Sequence, residues 1–193
     1  MSIAYNRYYA ANIPFAYWDL DMKNFKGAQR LKTAYENAVD NVTDIYRNGS
    51  SVCLAGLHGC GKTMTLTNIL KKISQKNYTS LYTTLSDIVN IILEAPIEDK
   101  FHARKELMVV DFLAIDEFDS RFVNEAGSDL FGKVLENVFR TRLQNKLPTL
   151  LATNSPNPIE TFTGAFRASI DSLMAAVQLI PVMGDDFRKQ GLQ

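Results

Sequence analysis

Short apolar runs alternate along the chain with longer segments in which apolar residues recur every three or four positions. The runs are typical of strands and the spaced segments of helices, because side chains repeat every two residues in a strand and about every 3.6 in a helix. The runs predict five strands, at residues 51–55, 79–84, 112–115, 149–152 and 177–182. The spaced segments predict helices at residues 27–47, 62–74, 85–93, 97–110, 125–145 and 166–176. Such an order predicts an α/β fold, a parallel sheet with helices on both faces.

The first twenty residues contain six aromatic side chains and are interrupted by Pro14. They are too apolar for a disordered tail, so we expect them to pack on the main body or on a neighbouring subunit. A chain of 193 residues is long enough for one domain and too short for two full ones. We therefore divide it into an N-terminal aromatic segment and helix (1–48), packed on a core (49–193).

Charge and cysteine content restrict the classes of partner and compartment. The formal net charge is zero, whereas proteins that bind nucleic acid over their whole surface are strongly basic. Any nucleic-acid contact must then be local, shared among subunits or dependent on a nucleotide. The two cysteines, Cys53 and Cys60, form no disulfide framework and fit a reducing compartment. No signal-peptide pattern and no apolar run of ~18 residues is present, which predicts a cytoplasmic protein with no membrane partner.

A glycine-rich segment with the spacing Gly-x-x-x-x-Gly-Lys-Thr joins the first strand to the next helix. Glycines let the backbone fold around phosphates, while N–H groups and the helix N-terminus face the anion. Lys62 is expected to reach the β- and γ-phosphates and to act in catalysis, and Thr63 to place its hydroxyl on Mg²⁺. The predicted ATP-binding residues are Gly56, Leu57, His58, Gly59, Cys60, Gly61, Lys62, Thr63 and Met64. The side chains of His58 and Cys60 are expected to point outward rather than to bind a metal ion.

The third strand delivers two adjacent carboxylates, Asp116 and Glu117. Neighbouring strand residues point to opposite faces, so the two are expected to have different roles. Asp116 is predicted to hold Mg²⁺ and Glu117 to polarise an attacking water. A carboxylate base favours hydrolysis over transfer to another acceptor. Asp111 and Asp119 flank the pair and are expected to be solvated or capping residues.

Polar residues also follow the fourth strand. There Asn154 is predicted to touch the γ-phosphate or to orient the water, with a turn as the alternative role. The transferred phosphoryl group also needs a cation, for which Arg140, Arg142 and Arg167 are the candidates. Arg167 is assigned as the catalytic arginine, because a cation near a helix start is unfavourable unless something else holds it.

Together these residues resemble the AAA+ ATPases, and within them the DnaC/DnaI helicase-loader group and the related IstB transposition ATPases. Residues 56–63 match the Walker A motif of that group and residues 112–118 its Walker B motif. Its sensor 1 region is similar to the stretch from Arg142 to Asn154, and its entry and closing segments are similar to residues 12–25 and 184–188. In the family, the arginine-bearing helix usually places its arginine deeper than Arg167.

The resemblance implies a five-stranded P-loop AAA+ core without a C-terminal helical lid. It implies ATP hydrolysis in a ring or spiral homo-oligomer, with single-stranded DNA and a replicative helicase as partners. The alternative is an IstB-like regulator that binds duplex DNA and a transposase. A non-enzymatic nucleotide-binding module is a third hypothesis, and intact Lys62, Asp116 and Glu117 disfavour it.

Two further expectations follow from this comparison. Without a lid, the adenine must be covered by the N-terminal aromatic segment or by a neighbouring subunit. Single-stranded DNA in a central channel needs a few basic and aromatic residues per subunit. The basic stretch before the third strand supplies candidates, although a solvated helix face explains it equally well: Lys100, His102, Arg104 and Lys105.

Overall fold

The computed structural model describes residues 2–119, 128–158, 162, 167, 170, 171 and 173–182. Within these ranges the helices are α1 (Ile3–Ala10), α2 (Gln29–Asp40), α3 (Val42–Asn48), α4 (Lys62–Gln75), α5 (Leu85–Glu94), α6 (Ile97–Val109) and α7 (Ser128–Gln144). The strands are β1 (Ser51–Gly56), β2 (Ser80–Thr84), β3 (Phe112–Asp116), β4 (Thr149–Thr153) and β5 (Val177–Val182).

The five strands form one parallel sheet in the order β2-β3-β4-β1-β5. The predicted fold class is therefore confirmed, and the described residues end with β5. Because all strands run the same way, the ends of β1, β3 and β4 lie side by side at one edge. Ligands of such sheets bind outside the carboxyl ends, where the strand order reverses, and here β4 returns beside β1.

Alternate residues of the central strands enter two separate cores. On one face, Leu54, Ala114 and Ala152 pack with α2, α4 and the N-terminal segment. On the other face, Cys53, Ile115 and Leu151 pack with α5, α6 and α7. The period-two alternation of a strand covered on both faces explains why these runs are apolar throughout.

The N-terminal segment, residues 2–25, lies against α4 and the edge of β2. The Tyr82 N–H donates to the Ala11 carbonyl at 2.8 Å, and the Asn12 side-chain amide donates to the Tyr82 carbonyl at 2.9 Å. The ammonium of Lys71 on α4 donates to the carbonyl oxygens of Tyr17, Trp18 and Leu20. Burial lowers the pKa of Lys71 below its ordinary value, and three carbonyl acceptors compensate the charge in this site.

Local structure differs from the sequence prediction in the helix before β1. The helix predicted over 27–47 is divided at Asn41, whose side-chain amide donates to the Asn37 carbonyl at 3.1 Å. Asparagine competes with helical backbone hydrogen bonds in this way. Helix α5 is capped by Thr84, which exchanges hydrogen bonds with Asp87 in a capping box. The predicted start of α7 at residue 125 and the closing segment 184–188 lie outside the described residues.

Candidate functional site

The glycine-rich loop between β1 and α4 has the backbone conformation that its glycines permit. Gly59 has φ 77° and Gly61 has φ 99°, both in the left-handed region that disfavours other residues. A Cβ atom at Gly61 would lie 2.6 Å from the Phe25 ring. The loop therefore turns directly into the N-terminus of α4, where free N–H groups and the helix dipole favour an anion.

A cavity of about 350 Å³ opens above this loop. Residues from the ends of β1, β3 and β4 line it together with part of the N-terminal segment: Tyr17, Leu20, His58, Gly59, Gly61, Lys62, Thr63, Met64, Asp116, Glu117 and Asn154. The structure thus brings together predicted residues that are separated by up to about a hundred positions in sequence. Gly56, Leu57 and Cys60 belong to the loop but are not among the described residues that line the cavity.

The Lys62 ammonium is held inside its own loop. Its Nζ donates to the carbonyl oxygens of Gly56 at 2.8 Å and Leu57 at 2.7 Å, and it lies 3.6 Å from the Cys60 sulfur. Lys62 is buried and yet lines the cavity. A cation placed beside the helix N-terminus gives this cavity a positive floor suited to phosphate.

Asp116 and Glu117 line the same cavity from the end of β3. Asp116 is buried; its Oδ2 accepts from the Tyr82 hydroxyl at 3.0 Å, and its Oδ1 accepts from the Glu117 N–H at 2.8 Å. Glu117 is exposed and has φ 51°. β3 ends at Asp116, so Glu117 is the first residue after the strand, and the different roles expected for the two carboxylates stay a prediction. Burial, followed by the Asp116 charge, raises the pKa of Tyr82, so its phenol remains a donor.

Asn154 follows β4 and is partly exposed on the cavity wall. Two backbone contacts fix this end of the strand. The Phe118 N–H donates to the Ala152 carbonyl at 2.8 Å, and the Ser155 N–H donates to the Thr153 hydroxyl at 3.1 Å. The Asn154 position is thereby tied to the turn after Glu117.

Among the three candidate arginines, Arg142 is a structural residue. It is 1% exposed, and its guanidinium donates to the carbonyls of Leu107, Val110 and Pro148 and to the Thr149 hydroxyl. Burial lowers its pKa to about 10. A catalytic arginine that contacts the nucleotide of a neighbouring subunit (an arginine finger) must be exposed on the surface. Arg142 is buried and is therefore excluded from that role.

The other two arginines lie on the surface. Arg140 is exposed and pairs with Glu136 one helical turn away. Arg167 is exposed and is not among the described residues that line the cavity. Its predicted role therefore concerns a neighbouring subunit rather than the cavity of its own chain.

Several predicted side-chain environments also differ from expectation. Cys60 was expected to point outward, but it is fully buried and donates to the Leu57 carbonyl at 3.1 Å. His58 is exposed as expected. Asp119 is buried, which leaves capping as its expected role, and Asp111 accepts hydrogen bonds from the Thr79 backbone and hydroxyl at 2.8 Å. Within the described residues, no cluster of three His, Cys, Asp or Glu forms a site for a resident metal ion.

The sequence analysis did not identify Leu20 and Tyr82 at this site, and it included Tyr17 only as part of the aromatic segment expected to cover the adenine. A signal existed for Tyr82, because strands with period two place it on the same face of the sheet as Asp116 once β2 and β3 pair in register. No sequence pattern indicates where the N-terminal segment crosses the sheet edge.

The described residues fit a magnesium nucleotide. The loop presents backbone N–H groups and one ammonium to an anion, and Thr63 and the buried Asp116 carboxylate supply the oxygen ligands that Mg²⁺ prefers. Asp116 accepts from neutral donors only, so no cation of the described residues competes for it. No described helix combines the length and apolar character needed to cross a lipid bilayer.

Solved structures of replication proteins share this fold. The chain matches a replication initiator DnaA bound to AMPPCP and single-stranded DNA with a TM-score of 0.70 and 18% identity, over 93% of this chain and 55% of that one. It thus spans only about half the length of this initiator. It matches a DnaC helicase loader with a TM-score of 0.69 and 16% identity, over 88% of this chain and 100% of that one. For a primosome component from Streptococcus pyogenes, the values are 0.71 and 16%, over 90% and 91%.

Sequence comparison gives the family. None of the curated proteins matches the chain. The family model of the AAA ATPases, the ATPase family associated with various cellular activities, matches residues 52–173 and thus includes the glycine-rich loop, both carboxylates and Asn154. Since this match covers more than half of the 193 residues, the chain belongs to the AAA family of nucleotide-binding ATPases.

Proposed function

We propose that this protein is a helicase loader of DNA replication, a homo-oligomeric ATPase that assembles on single-stranded DNA. One observation carries the ATPase part: the glycine-rich loop, Asp116, Glu117 and Asn154 line a single cavity. The proposal retains the division into an N-terminal segment (1–48) and an ATPase core (49–193). It also retains Arg167 as the arginine offered to a neighbouring subunit, since its side chain is exposed.

Each residue of the cavity has a distinct part in binding and hydrolysis. The N–H groups at the start of α4 bind phosphate oxygens, and the Lys62 ammonium exchanges the loop carbonyls for the β- and γ-phosphates. Thr63 and Asp116 would hold Mg²⁺, which would neutralise charge on the triphosphate when bound. Glu117 accepts the proton of the attacking water, and Asn154 orients that water or the γ-phosphate.

The exposed side of α6 supports a contact with single-stranded DNA. Ile97 is 84% exposed and Phe101 is 66% exposed, and the Phe101 ring lies edge-on to the His102 ring. Lys105 stands one turn after Phe101 and is exposed as well. Unstacked bases bind to aromatic faces beside basic groups that contact phosphate, so an exposed aromatic with neighbouring cations favours this use over an ordinary solvated face.

Two similar structures support the proposed role as a helicase loader that binds single-stranded DNA. The DnaC structure is that of a helicase loader, and the DnaA structure was bound to an ATP analogue and single-stranded DNA. These likenesses establish the fold, and the loader role is the part that we infer from it.

Glu117→Gln tests the ATPase function. The substitution removes the base but keeps the shape, so it should lower steady-state turnover at least about 100-fold while Mg-ATP affinity stays within about threefold of the original. Asp111→Asn, a carboxylate outside the cavity, is the matched control. Turnover at background level in both the original protein and Glu117→Gln would support a nucleotide-binding module without catalysis. A dilution series of the wild-type protein should show that turnover per subunit rises with concentration, as an oligomeric ATPase requires.

DNA binding is tested by fluorescence anisotropy with labelled oligothymidine in the presence of a non-hydrolysable ATP analogue. Phe101→Ala and Lys105→Ala should each weaken binding about tenfold, and Lys133→Ala on α7 should leave it unchanged. Preference for duplex DNA over single strands would instead favour a transposase regulator of the IstB kind. Affinity purification with the same analogue distinguishes the two, since a replicative helicase or a transposase is then recovered.

A further inference from the structure

The carboxylate of Asp116 is oriented by two hydrogen bonds from opposite sides. The Tyr82 hydroxyl donates to Oδ2 at 3.0 Å, and the Glu117 N–H donates to Oδ1 at 2.8 Å. Each carboxylate oxygen accepts more than one hydrogen bond or ligand, so both retain capacity toward the cavity. The two donors therefore fix the carboxylate plane without using up its ability to bind a cation.

Tyr82 reaches Asp116 because of the sheet register. Tyr82 pairs with Ala114, and Asp116 pairs with Thr84, so both side chains lie on the face of the sheet that α4 covers. Both residues are buried. Tyr82 is not among the described residues that line the cavity, so any effect of its hydroxyl on a nucleotide must pass through Asp116.

The N-terminal segment holds Tyr82 in place. The backbone N–H of Tyr82 donates to the Ala11 carbonyl at 2.8 Å, and the Tyr82 carbonyl accepts from the Asn12 side chain at 2.9 Å. Asn12 itself has φ 53°, in the left-handed region that Asn tolerates better than most residues. The ring of Tyr82 packs in the core that also contains Ala11, Ile13 and Trp18. The phenol is thereby fixed in direction, as a residue that orients a ligand must be.

We propose that Tyr82 is a positioning residue for the magnesium carboxylate, orienting Asp116 through its hydroxyl. The inference rests on the proposed function, because it assumes that Asp116 holds Mg²⁺ with the nucleotide. Partners that orient metal ligands typically affect metal affinity 10- to 100-fold when removed. Packing alone would require the ring and not its hydroxyl, and this difference makes the inference testable.

The test compares nucleotide affinity with and without metal in Tyr82→Phe, which retains the ring. Affinity for a fluorescent non-hydrolysable ATP analogue is measured in excess EDTA and in a Mg²⁺ titration. Tyr82→Phe should leave the metal-free affinity unchanged and raise the Mg²⁺ midpoint about tenfold. Tyr8→Phe is the matched control, because Tyr8 is also buried and its hydroxyl accepts one hydrogen bond, from Gln75 at 3.1 Å, away from the cavity. It should keep the original midpoint.

The outcomes separate this inference from the function on which it rests. A wild-type Mg²⁺ midpoint in folded Tyr82→Phe overturns the positioning role and leaves the ATPase proposal intact. Asp116→Asn should abolish the metal-dependent gain in affinity; if it does not, the assignment of Asp116 fails first. Circular dichroism checks the fold of each variant. Should Tyr82→Phe not fold, Tyr82→Met keeps an apolar side chain without a donor and is expected to show the same raised midpoint.

Discussion

The Nζ atom of Lys62 lies 2.7 Å from the carbonyl oxygen of Leu57, within the loop that would bind phosphate. A second contact, to the Gly56 carbonyl at 2.8 Å, completes the arrangement. Phosphate binding therefore exchanges neutral acceptors for anionic ones, and the negative charge adds a Coulombic attraction to the ammonium that a carbonyl oxygen lacks. The loop keeps the cation ordered and ready for this exchange.

Lys62→Met should weaken Mg-ATP binding by about 10- to 100-fold, because hydrogen bonds to charged groups contribute about 1.5–3 kcal/mol. Isothermal titration calorimetry measures the affinity. Lys72→Met on the same helix is the control, and it should bind like the original protein. Equal affinity in Lys62→Met and the original protein would contradict the assignment of this loop.

Arg142 and Arg140 are two positions apart on α7, and their removal should have very different effects on the free energy of unfolding. Arg142→Met leaves the carbonyls of Leu107, Val110 and Pro148 buried without their donor. The loss of unfolding free energy should be about 3–5 kcal/mol. Arg140→Met removes an exposed ion pair with Glu136 and should change the free energy of unfolding by less than about 0.5 kcal/mol. Urea denaturation followed by circular dichroism compares the two. A stable Arg142→Met protein that lost only ATPase activity would restore Arg142 as a candidate finger.

The sequence was sufficient for the strands and for most of the cavity. All five predicted strands are present within two residues of their predicted ends, because apolar runs between turn residues are a strong local signal. The convergence of Lys62, Asp116 and Asn154 followed from parallel strand ends meeting at one edge. These inferences needed only local patterns and one general rule of topology.

Other features depended on contacts between distant segments. Arg142 looks like any surface arginine until Leu107, Val110 and Pro148 are seen around it. Burial of Cys60 depends on how the loop folds over β1 and not on residue type. Closure of the β2 edge by Ala11 and Asn12 joins positions about seventy apart. Periodicity carries no information about such pairings, so they could not be predicted.

Gly61→Ala should damage both the loop and its packing against Phe25. The alanine would have to adopt φ 99°, and its Cβ would lie 2.6 Å from the Phe25 ring. Left-handed backbone alone costs about 1–2 kcal/mol for a residue with a side chain. Thermal unfolding should therefore show a loss of at least this size, together with weaker nucleotide binding. Phe25→Leu in the same chain relieves the contact but not the backbone strain. The double variant should therefore recover only part of the stability that Gly61→Ala loses. Full recovery would mean that the positive φ costs nothing here.

Cys53 gives a pH dependence whose sign follows from its burial. Burial in the core raises the pKa of its thiol from 9.0 to about 12, and the nearby Lys62 charge only partly opposes this. Between these values the folded state keeps a proton that the unfolded state loses. The stability contributed by the protonated thiol is therefore complete below pH 9 and is lost as pH rises toward 12, by up to about 1.4 kcal/mol per pH unit.

Cys53→Ala isolates this effect, because other titrating groups are common to both proteins and cancel in the difference. The variant should be less stable at pH 8, since it leaves a small cavity in the core. Its deficit should then shrink as pH rises from 9 to 10.5. Leu54→Val is the control, a truncation on the same strand without a titrating group, and its deficit should remain constant. Guanidinium unfolding at stepped pH gives these differences. Parallel curves for the original protein and Cys53→Ala would show that the thiol ionises as readily in the folded chain as in the unfolded one, and so that β1 is open to water at Cys53.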